Sequence, residues 1–361
     1  MKPRATSTAS CAAPVTARAE ARCALFLRRA GNLSPPQVDN VAEGPTGGVD
    51  CFATGGDGPT MEPQRGAVHL VDKHLKYWLV APALIIMAMT LLYPLVAGFW
   101  FSLHNWNIAQ EATLGPFVGL DNYRLILTDD PDFWGSVRVT GIFTVFSVVI
   151  TLVLAMALAL ALLLVGNDGL TVNVRTLLVL PFSMSPALLG ISWRFLLNPE
   201  FGAISAGLGA IIPALKGVPI LADPTLAMAA LIASDVWHWS PYFMLLFVGA
   251  LAALPQETIE AAQVDGASRF RVFWEIMLPQ LRPVLTIAIL LKAIFSLKVL
   301  DQVVTLTAGG PGTATETLAH LVYLTAFRFY DLGYSAAIAY LLAAVMGVLA
   351  LLYTRFVMER A

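Results

Sequence analysis

Residues 142–165 have the sequence IFTVFSVVITLVLAMALALALLLV, which contains no charged side chain. A helix must supply about 20 apolar residues to cross the hydrocarbon core of a bilayer, which is roughly 30 Å thick. An ionised group is costly in that core, so long charge-free runs are typical of membrane spans. This stretch therefore predicts a transmembrane helix and, with it, a membrane protein.

The composition of the whole chain supports the same class. The 361 residues are 57% hydrophobic and only 13% charged, whereas about 25% of the residues in a typical soluble domain are charged. So few charges would leave large apolar areas in water, which argues against a soluble globular enzyme. A formal net charge of −2 provides no basic field for phosphate backbones, so nucleic acid is not an expected partner.

Five further apolar stretches predict an all-α, polytopic membrane protein with six transmembrane helices. They cover residues 77–101, 176–197, 225–254, 283–306 and 336–353. Pro82 and Pro94 should bend the first of these stretches. In the second, Pro181 and Pro186 are explained either by ordinary kinks or by unwound backbone that lines a cavity.

The distribution of basic residues predicts that both termini are cytoplasmic. Cytoplasmic flanks of membrane helices carry an excess of Lys and Arg. With the N-terminus inside, the inner flanks hold twice as many basic residues as the outer loops. The inner set is Lys73, Lys76, Arg175, Arg269, Arg271, Arg282, Arg355 and Arg360, and the outer set is Arg124, Arg138, Lys216 and Arg328.

Residues 1–76 differ from the rest of the chain and are expected to form a disordered cytoplasmic tail. They are rich in Ala, Gly, Pro, Thr and Ser, a composition that buries too little apolar surface to fold. The short apolar run at 23–27 falls below the roughly 7–15 residues of a signal-peptide core. Met61 is an alternative start of translation. Residues 77–361 then form the membrane domain.

Residues 255–282 lie between the fourth and fifth stretches and are unlike the other loops. Residues 255–279 have the sequence PQETIEAAQVDGASRFRVFWEIMLP. Pro255 suits the first turn of a helix, Gly266 can adopt the positive φ that ends one, and Arg271 and Glu275 can pair across one turn. The pattern predicts two short helices joined at Gly266. An amphipathic linker on the membrane surface has the same pattern.

The spacing within this loop resembles the signature of permease subunits of binding-protein-dependent ABC importers. The matching residues are Glu260, Ala261, Ala262, Gly266, Ile276, Leu278 and Pro279. Three shorter segments resemble carbohydrate-uptake permeases of the maltose and glycerol-3-phosphate type. They are Gly119-Leu120-Asp121-Asn122-Tyr123, Asp265-Gly266-Ala267 and Gly309-Gly310-Pro311. The resemblance extends from about residue 77 to the C-terminus.

The resemblance implies an ABC importer permease fold in the bacterial cytoplasmic (inner) membrane, moving a sugar or polyol by alternating access. It also implies a set of partners: a second permease subunit that is a different chain, two cytoplasmic ATPase subunits that dock on loop 255–282, and an extracytoplasmic sugar-binding protein. The chain has no G-x-x-x-x-G-K-[ST] motif for ATP phosphates. ATP and Mg²⁺ are therefore expected in the ATPase subunits, with no cofactor on this chain.

Polar and aromatic residues within the spans are candidates for the substrate pathway. They are Ser183, Asp235, Trp237, Trp239 and Lys292. Asp235 and Trp239 are four residues apart and share a helical face, and an ionisable group within a span suggests a functional site. The alternatives are a structural ion pair for Asp235 and interfacial anchoring for the tryptophans.

Two intramembrane lysines have different expected environments. Lys298 can pair with Asp301, three residues further on. Lys292 has no local partner, so it either faces a wet cavity or pairs across helices. A second function class is an ion-coupled secondary carrier with Asp235 as its relay; the internal repeats that such carriers often contain are not evident. An intramembrane enzyme is the third class, and no acid–base or metal constellation supports it.

Overall fold

The computed structural model describes residues 79–165, 176–353 and 355, and nearly all of them are helical or in connecting turns. The predicted disordered tail at 1–76 lies outside these residues. The predicted all-α class is confirmed. The longer helices are α1 (Leu79–Ser102), α2 (Asp121–Thr128), α3 (Pro131–Val165), α4 (Thr176–Ser183), α5 (Pro186–Leu196), α6 (Ala203–Ile211), α7 (Pro224–Ala252), α8 (Gln256–Val264), α9 (Arg269–Gln280), α10 (Arg282–Leu297), α11 (Leu318–Phe327) and α12 (Leu332–Tyr353).

Within the described part of the chain, three helices are individually long and apolar enough to cross a membrane: α1, α3 and α12. Three bent pairs reach that standard only together, namely α4 with α5, α7 with α8, and α9 with α10. If each pair is counted as one crossing, the total is six. The number of crossings therefore stays a prediction.

The apolar stretch at 176–197 is broken into two helices rather than kinked. α4 and α5 meet at 103°, and Met184 and Ser185 between them have extended backbone angles. Pro186 occupies the first turn of α5, and proline disfavours helical angles in the residue that precedes it. The change of direction therefore comes from two residues of non-helical backbone. Of the two alternatives for Pro181 and Pro186, unwound backbone is the one found.

The helix formed by the apolar stretch at 283–306 is shorter than predicted. α10 ends at Leu297, Lys298 is its C-cap, and a separate helical segment follows at Val303–Thr307. The expected pair between Lys298 and Asp301 is wrong. Among the described residues Lys298 makes no ion pair, and its Nζ lies 5.2 Å from the centroid of the Phe295 ring. The helix ends before Lys298, so a three-residue separation no longer places the two side chains on one helical face.

The centre of the fold is the packing of α3 along α7, with α10 packed mainly on α3. Phe243, Phe247 and Met244 are fully buried there. Association between helices in a bilayer depends on close van der Waals packing more than on exclusion of water. Ala155 and Ala288 are also fully buried in this cluster, and such small side chains let the backbones approach closely.

α1 lies at the edge of the described structure and exposes most of its apolar surface. It packs against α12, where Tyr340 Oη donates a hydrogen bond to Leu95 O. A π-helical segment at Ala88–Leu92 precedes Pro94, because proline cannot donate the backbone hydrogen bond of a regular helix. The outer surface of α1 is therefore available to lipid or to another chain.

Residues 119–123 hold the loop that follows α1 against the membrane domain. Asn122 is buried, and its Nδ2 donates to Ser102 O at 2.9 Å and to His104 O at 3.0 Å. Tyr123 Oη lies 2.7 Å from Ser102 Oγ. The same loop reaches the start of α12, where Leu332 N donates to Trp106 O at 2.9 Å. These bonds fix the end of α1 relative to the beginning of α12.

Replacement of Gly333 by alanine should test this contact. A Cβ at Gly333 would lie 2.0 Å from His104 O, a backbone atom that cannot rotate away. Overpacking of this kind costs about 1–3 kcal/mol, so Gly333→Ala should lower the melting temperature of the purified protein by about 3–10 °C. Gly347→Ala on the same helix is the control. No neighbour lies within 4 Å of its Cβ, so melting should stay unchanged or rise slightly. Equal melting of the two variants would contradict the proposed close contact.

Candidate functional site

The loop between α7 and α10 forms two helices joined at Gly266, as predicted. α8 covers Gln256–Val264, and Gly266 has a φ of +82°. α9 starts after Ser268, whose Oγ accepts a hydrogen bond from Arg271 N at 3.3 Å. The positive φ at Gly266 favours glycine, because an L side chain is disfavoured there. The chain therefore turns between the two helices at a position that favours glycine.

The outer surface of this loop carries exposed apolar side chains. Val264 is 87% exposed, Phe270 74% and Trp274 52%. The apolar side chains of α9 are divided: Phe273 and Met277 pack on the α3–α7–α10 core, while Phe270 is exposed. Apolar side chains clustered on an exposed loop are typical of a protein interaction site.

The residues of the loop signature divide between this surface and the junction with the membrane domain. Glu260, Ala261, Asp265 and Gly266 are exposed, and Ala262 and Ala267 are half-buried. Ile276, Leu278 and Pro279 are half-buried near the start of α10. The predicted pair is confirmed: Arg271 Nε lies 2.8 Å from Glu275 Oε2, with both side chains exposed. A pair this exposed contributes little to stability.

Inside the membrane domain, Lys292 pairs with Asp235 across helices. Lys292 Nζ donates to Asp235 Oδ2 at 2.5 Å, and the side chains are 0% and 1% exposed. Ser147 Oγ of α3 donates to the same carboxylate oxygen, and Lys292 Nζ also bonds Ser296 Oγ at 3.1 Å. Of the two environments considered for Lys292, pairing across helices is the one found. One carboxylate on α7 thus binds both α3 and α10.

Aromatic rings cover this ion pair. Lys292 Nζ lies 5.6 Å from the centroid of the Trp239 ring, within the range of a cation–π contact. Trp239 stacks on Phe295 with centroids 4.5 Å apart and planes at 17°. Beside Trp239 on α7, His238 Nδ1 donates to Pro181 O at 3.0 Å. The broken helix α4 is therefore attached to the same segment of α7.

The candidate pathway residues separate into two groups around two cavities. A cavity of about 150 Å³ is bordered by Asp235, Trp239, Phe295, Lys298 and Gln302, among others. Lys292 lies behind Trp239, next to this group.

The second cavity is larger and lies beside α4. Its volume is about 620 Å³, and Ser183 and Trp237 line it together with apolar residues of α3 and α4. Trp237 is 42% exposed, whereas Trp239 is half-buried. The two tryptophans therefore lie on different faces of α7, and the five candidates do not form one site.

Several residues of this region did not emerge from the sequence. Ser147 is part of a polar stripe at helical spacing along α3, with Thr140, Thr144 and Thr151, and that spacing was a usable signal. Ser296 follows Lys292 by one helical turn. Gln302 is 2% exposed, and its Nε2 has no hydrogen-bond partner in the described structure. Nothing in the local sequence indicated Gln302. Within the described residues no group of His, Cys, Asp or Glu could hold a metal ion.

Comparison with known families identifies the class of protein. The family described as binding-protein-dependent transport system inner membrane component matches residues 126–359. The chain therefore belongs to this family of membrane components of transport systems. The prediction of a permease subunit rather than an enzyme is confirmed, and the ion-coupled carrier finds no support.

Individual relatives agree with this assignment. A probable ABC transporter permease protein, y4oQ, of Sinorhizobium fredii is 35% identical over 73% of this chain and 84% of its own length. The trehalose/maltose transport system permease protein MalF of Thermococcus litoralis is 33% identical over 73% and 85%. The sn-glycerol-3-phosphate transport system permease protein UgpA of Agrobacterium fabrum is 32% identical over 80% and 96%.

A solved structure supports the fold. It is a bacterial alginate ABC transporter in complex with a periplasmic protein bound to an alginate pentasaccharide. Its matching chain has a TM-score of 0.68 and 20% sequence identity, with 80% of this chain and 96% of that chain covered.

Single and double substitutions of the ion pair should behave differently. Lys292→Met and Asp235→Leu each leave one buried charge without its partner, and each should cost about 3–5 kcal/mol. The double variant should recover most of that loss, because apolar residues of similar size often replace a buried pair without penalty. Thermal unfolding of the purified chain in detergent measures all three. Ser234→Ala is the control, since Ser234 Oγ donates only to Leu231 O within α7. A double variant less stable than either single would contradict this account of the pair.

Proposed function

We propose that this chain is one of two different permease subunits of an ABC importer that moves a sugar or related polyol across the bacterial inner membrane. Relatives named for trehalose and maltose and for sn-glycerol-3-phosphate support this substrate class. Both termini and loop 255–282 lie in the cytoplasm, which agrees with the excess of basic residues on that side. The observation that carries the proposal is the exposed apolar surface of α8 and α9, joined at Gly266.

This surface is the docking site of an ATPase subunit. Val264, Phe270 and Trp274 expose apolar area on the loop, and Glu260 and Asp265 add exposed acidic groups to it. A short helix that places apolar side chains in a groove of a partner is a common mode of recognition. Ala261 and Ala262 give α8 a face without long side chains, where a partner can approach closely.

The chain's own contribution is mechanical. Two cytoplasmic ATPase subunits hydrolyse ATP with Mg²⁺, and an extracytoplasmic sugar-binding protein delivers the substrate to the outer face. Loop 255–282, which we call the docking loop, connects the end of α7 to the start of α10. When the ATPase subunits close, the loop moves, and the helices expose the sugar first to one side of the membrane and then to the other. Interfaces of packed helices have discrete arrangements, which suits this alternation.

The sugar passes the two cavities beside α7. Sugars have hydroxyl groups and apolar C–H faces, so their sites combine polar groups with aromatic rings. Trp239 and Phe295 supply the rings of the smaller cavity. Asp235, Lys298 and the unpartnered amide nitrogen of Gln302 supply its polar border, with Lys292 behind the ring. Ser183 and Trp237 border the larger cavity.

Gly266→Pro tests the docking of the ATPase subunit. Proline holds φ at about −65°. Gly266 has a φ of +82°, so the substitution must change the angle between α8 and α9. Proline also removes the donor of the bond from Gly266 N to Gln263 O. We expect at least a tenfold loss of sugar uptake and of ATPase subunit that copurifies with the permease.

Gly217→Pro provides a matched control for this experiment. Gly217 has a φ of +73° and, like Gly266, open space around its missing Cβ, but it lies in the loop before α7. Gly217→Pro should keep the ATPase subunit bound. Normal uptake and normal copurification in the Gly266→Pro variant would refute the docking proposal.

Trp239→Ala tests the sugar pathway. Loss of the ring should reduce transport at least severalfold at low sugar concentration, while the amount of bound ATPase subunit stays constant. Uptake of radiolabelled trehalose, maltose and sn-glycerol-3-phosphate by reconstituted vesicles measures the effect. Trp134→Ala is the control, because Trp134 is an exposed residue at the start of α3. Equal transport by the two variants would exclude a role for Trp239 in the pathway.

A further inference from the structure

We infer that the Asp235–Lys292 pair is a positioning device that makes α7 and α10 move as one body. It thereby transmits the motion of the docking loop to the cavities. The inference rests on the proposed function. It concerns the link that these two residues form between helices, which is separate from the place of Asp235 at the border of the smaller cavity.

The position of the pair in the chain is the first reason. α7 leads into the docking loop, and α10 leads out of it. Asp235 lies several turns before the end of α7 at Ala252. At a rise of about 1.5 Å per residue, that separation is about 25 Å along the helix axis. Lys292 lies nearly three turns beyond the start of α10 at Arg282, which is about 15 Å at the same rise. The ion pair therefore joins α7 and α10, the two helices that flank the docking loop, far inside the membrane domain.

The packing around α10 is the second reason. α10 lies mainly against α3, so its direct attachment to α7 depends on few contacts. The two prominent ones are the ion pair and the stack of Trp239 on Phe295. A force on the docking loop that pulls α10 away from α7 must break these contacts as well as the packing of the helices on α3.

The energetics of a buried pair are the third reason. Desolvation offsets most of the attraction, so a buried pair is weak evidence for stability and better evidence for a fixed register. A shift of α10 by one residue moves Lys292 by about 1.5 Å along the axis and about 100° around it. Both charges would then be buried without partners. The pair thus allows one alignment of the two helices and penalises intermediate ones.

The connections of α7 extend this alignment to both cavities. Asp235 also accepts from Ser147 of α3, and His238 donates to Pro181 O at the end of α4. α4 borders the larger cavity, and Trp239 and Phe295 border the smaller one. A displacement of the loop therefore reaches both cavities through residues 235–239.

The experiment uses the assembled importer: this chain, its partner permease, the two ATPase subunits and the binding protein, reconstituted in vesicles. The test variant is Asp235→Leu/Lys292→Met, which removes the link without leaving an unpaired charge. The matched control is Ser234→Ala/Thr286→Val on the same two helices. Both control hydroxyls bond only the backbone of their own helix.

Loss of the link should separate ATP hydrolysis from transport. Without it, the ATPase subunits can close without rearranging the cavities, so hydrolysis no longer requires the loaded binding protein. We expect the double variant to assemble normally and to hydrolyse ATP at least threefold faster than wild type in the absence of binding protein. We also expect it to consume at least threefold more ATP per molecule of trehalose, maltose or sn-glycerol-3-phosphate moved. The control variant should match wild type in both measurements.

Three results would overturn the inference. If basal hydrolysis and ATP consumed per sugar equal those of wild type, the helices move together without the pair. A raised KM for the sugar with unchanged basal hydrolysis would make the residues a substrate contact. Failure of the double variant to assemble would assign them to folding. Failure of the wild-type complex to respond to the binding protein would instead refute the proposed function, which separates the two claims.

Discussion

The ion pair between Lys292 and Asp235 is the constraint on which the rest of the membrane domain depends. Two charges that are almost completely buried must keep each other and their hydroxyl partners within hydrogen-bond distance, because burial separates them from bulk water. Ser147, Ser296 and Trp239 are arranged around them accordingly. The polar contact therefore fixes the register of α3, α7 and α10, while close apolar packing holds these helices together.

A polar anchor of this kind has a specific advantage in a bilayer. Apolar helix surfaces pack almost as well against lipid as against one another, so hydrophobicity alone gives helices little register. The α3–α7–α10 core supplies close packing through Ala155, Phe243 and Ala288, but such surfaces tolerate sliding. The ion pair removes that freedom at one level of the bundle. Loop 255–282 lies beyond the end of this bundle, where Gly266 has a φ of +82°.

Much of the helical architecture and the two-helix form of the loop followed from the sequence, because both depend on local patterns. Long apolar runs predicted the helices, and Pro255, Gly266 and the Arg271–Glu275 spacing predicted the two-helix loop. The failures were nonlocal. The end of α10 at Leu297 had no local signal, whereas the break between α4 and α5 was one of the two alternatives that Pro181 and Pro186 left open. For Lys292, no local pattern distinguished a cavity from a distant partner, since its carboxylate lies 57 residues away.

The length of α3 has a further consequence. The helix has 35 residues. At a rise of about 1.5 Å per residue it is a rod of about 52 Å, about 20 Å longer than the hydrocarbon core is thick. The surplus has to tilt or project into the headgroups and water. Ser147 lies near the midpoint of this rod, against Asp235. The contact between α3 and the buried charges therefore lies near the middle of a helix that must tilt in the bilayer or extend beyond it.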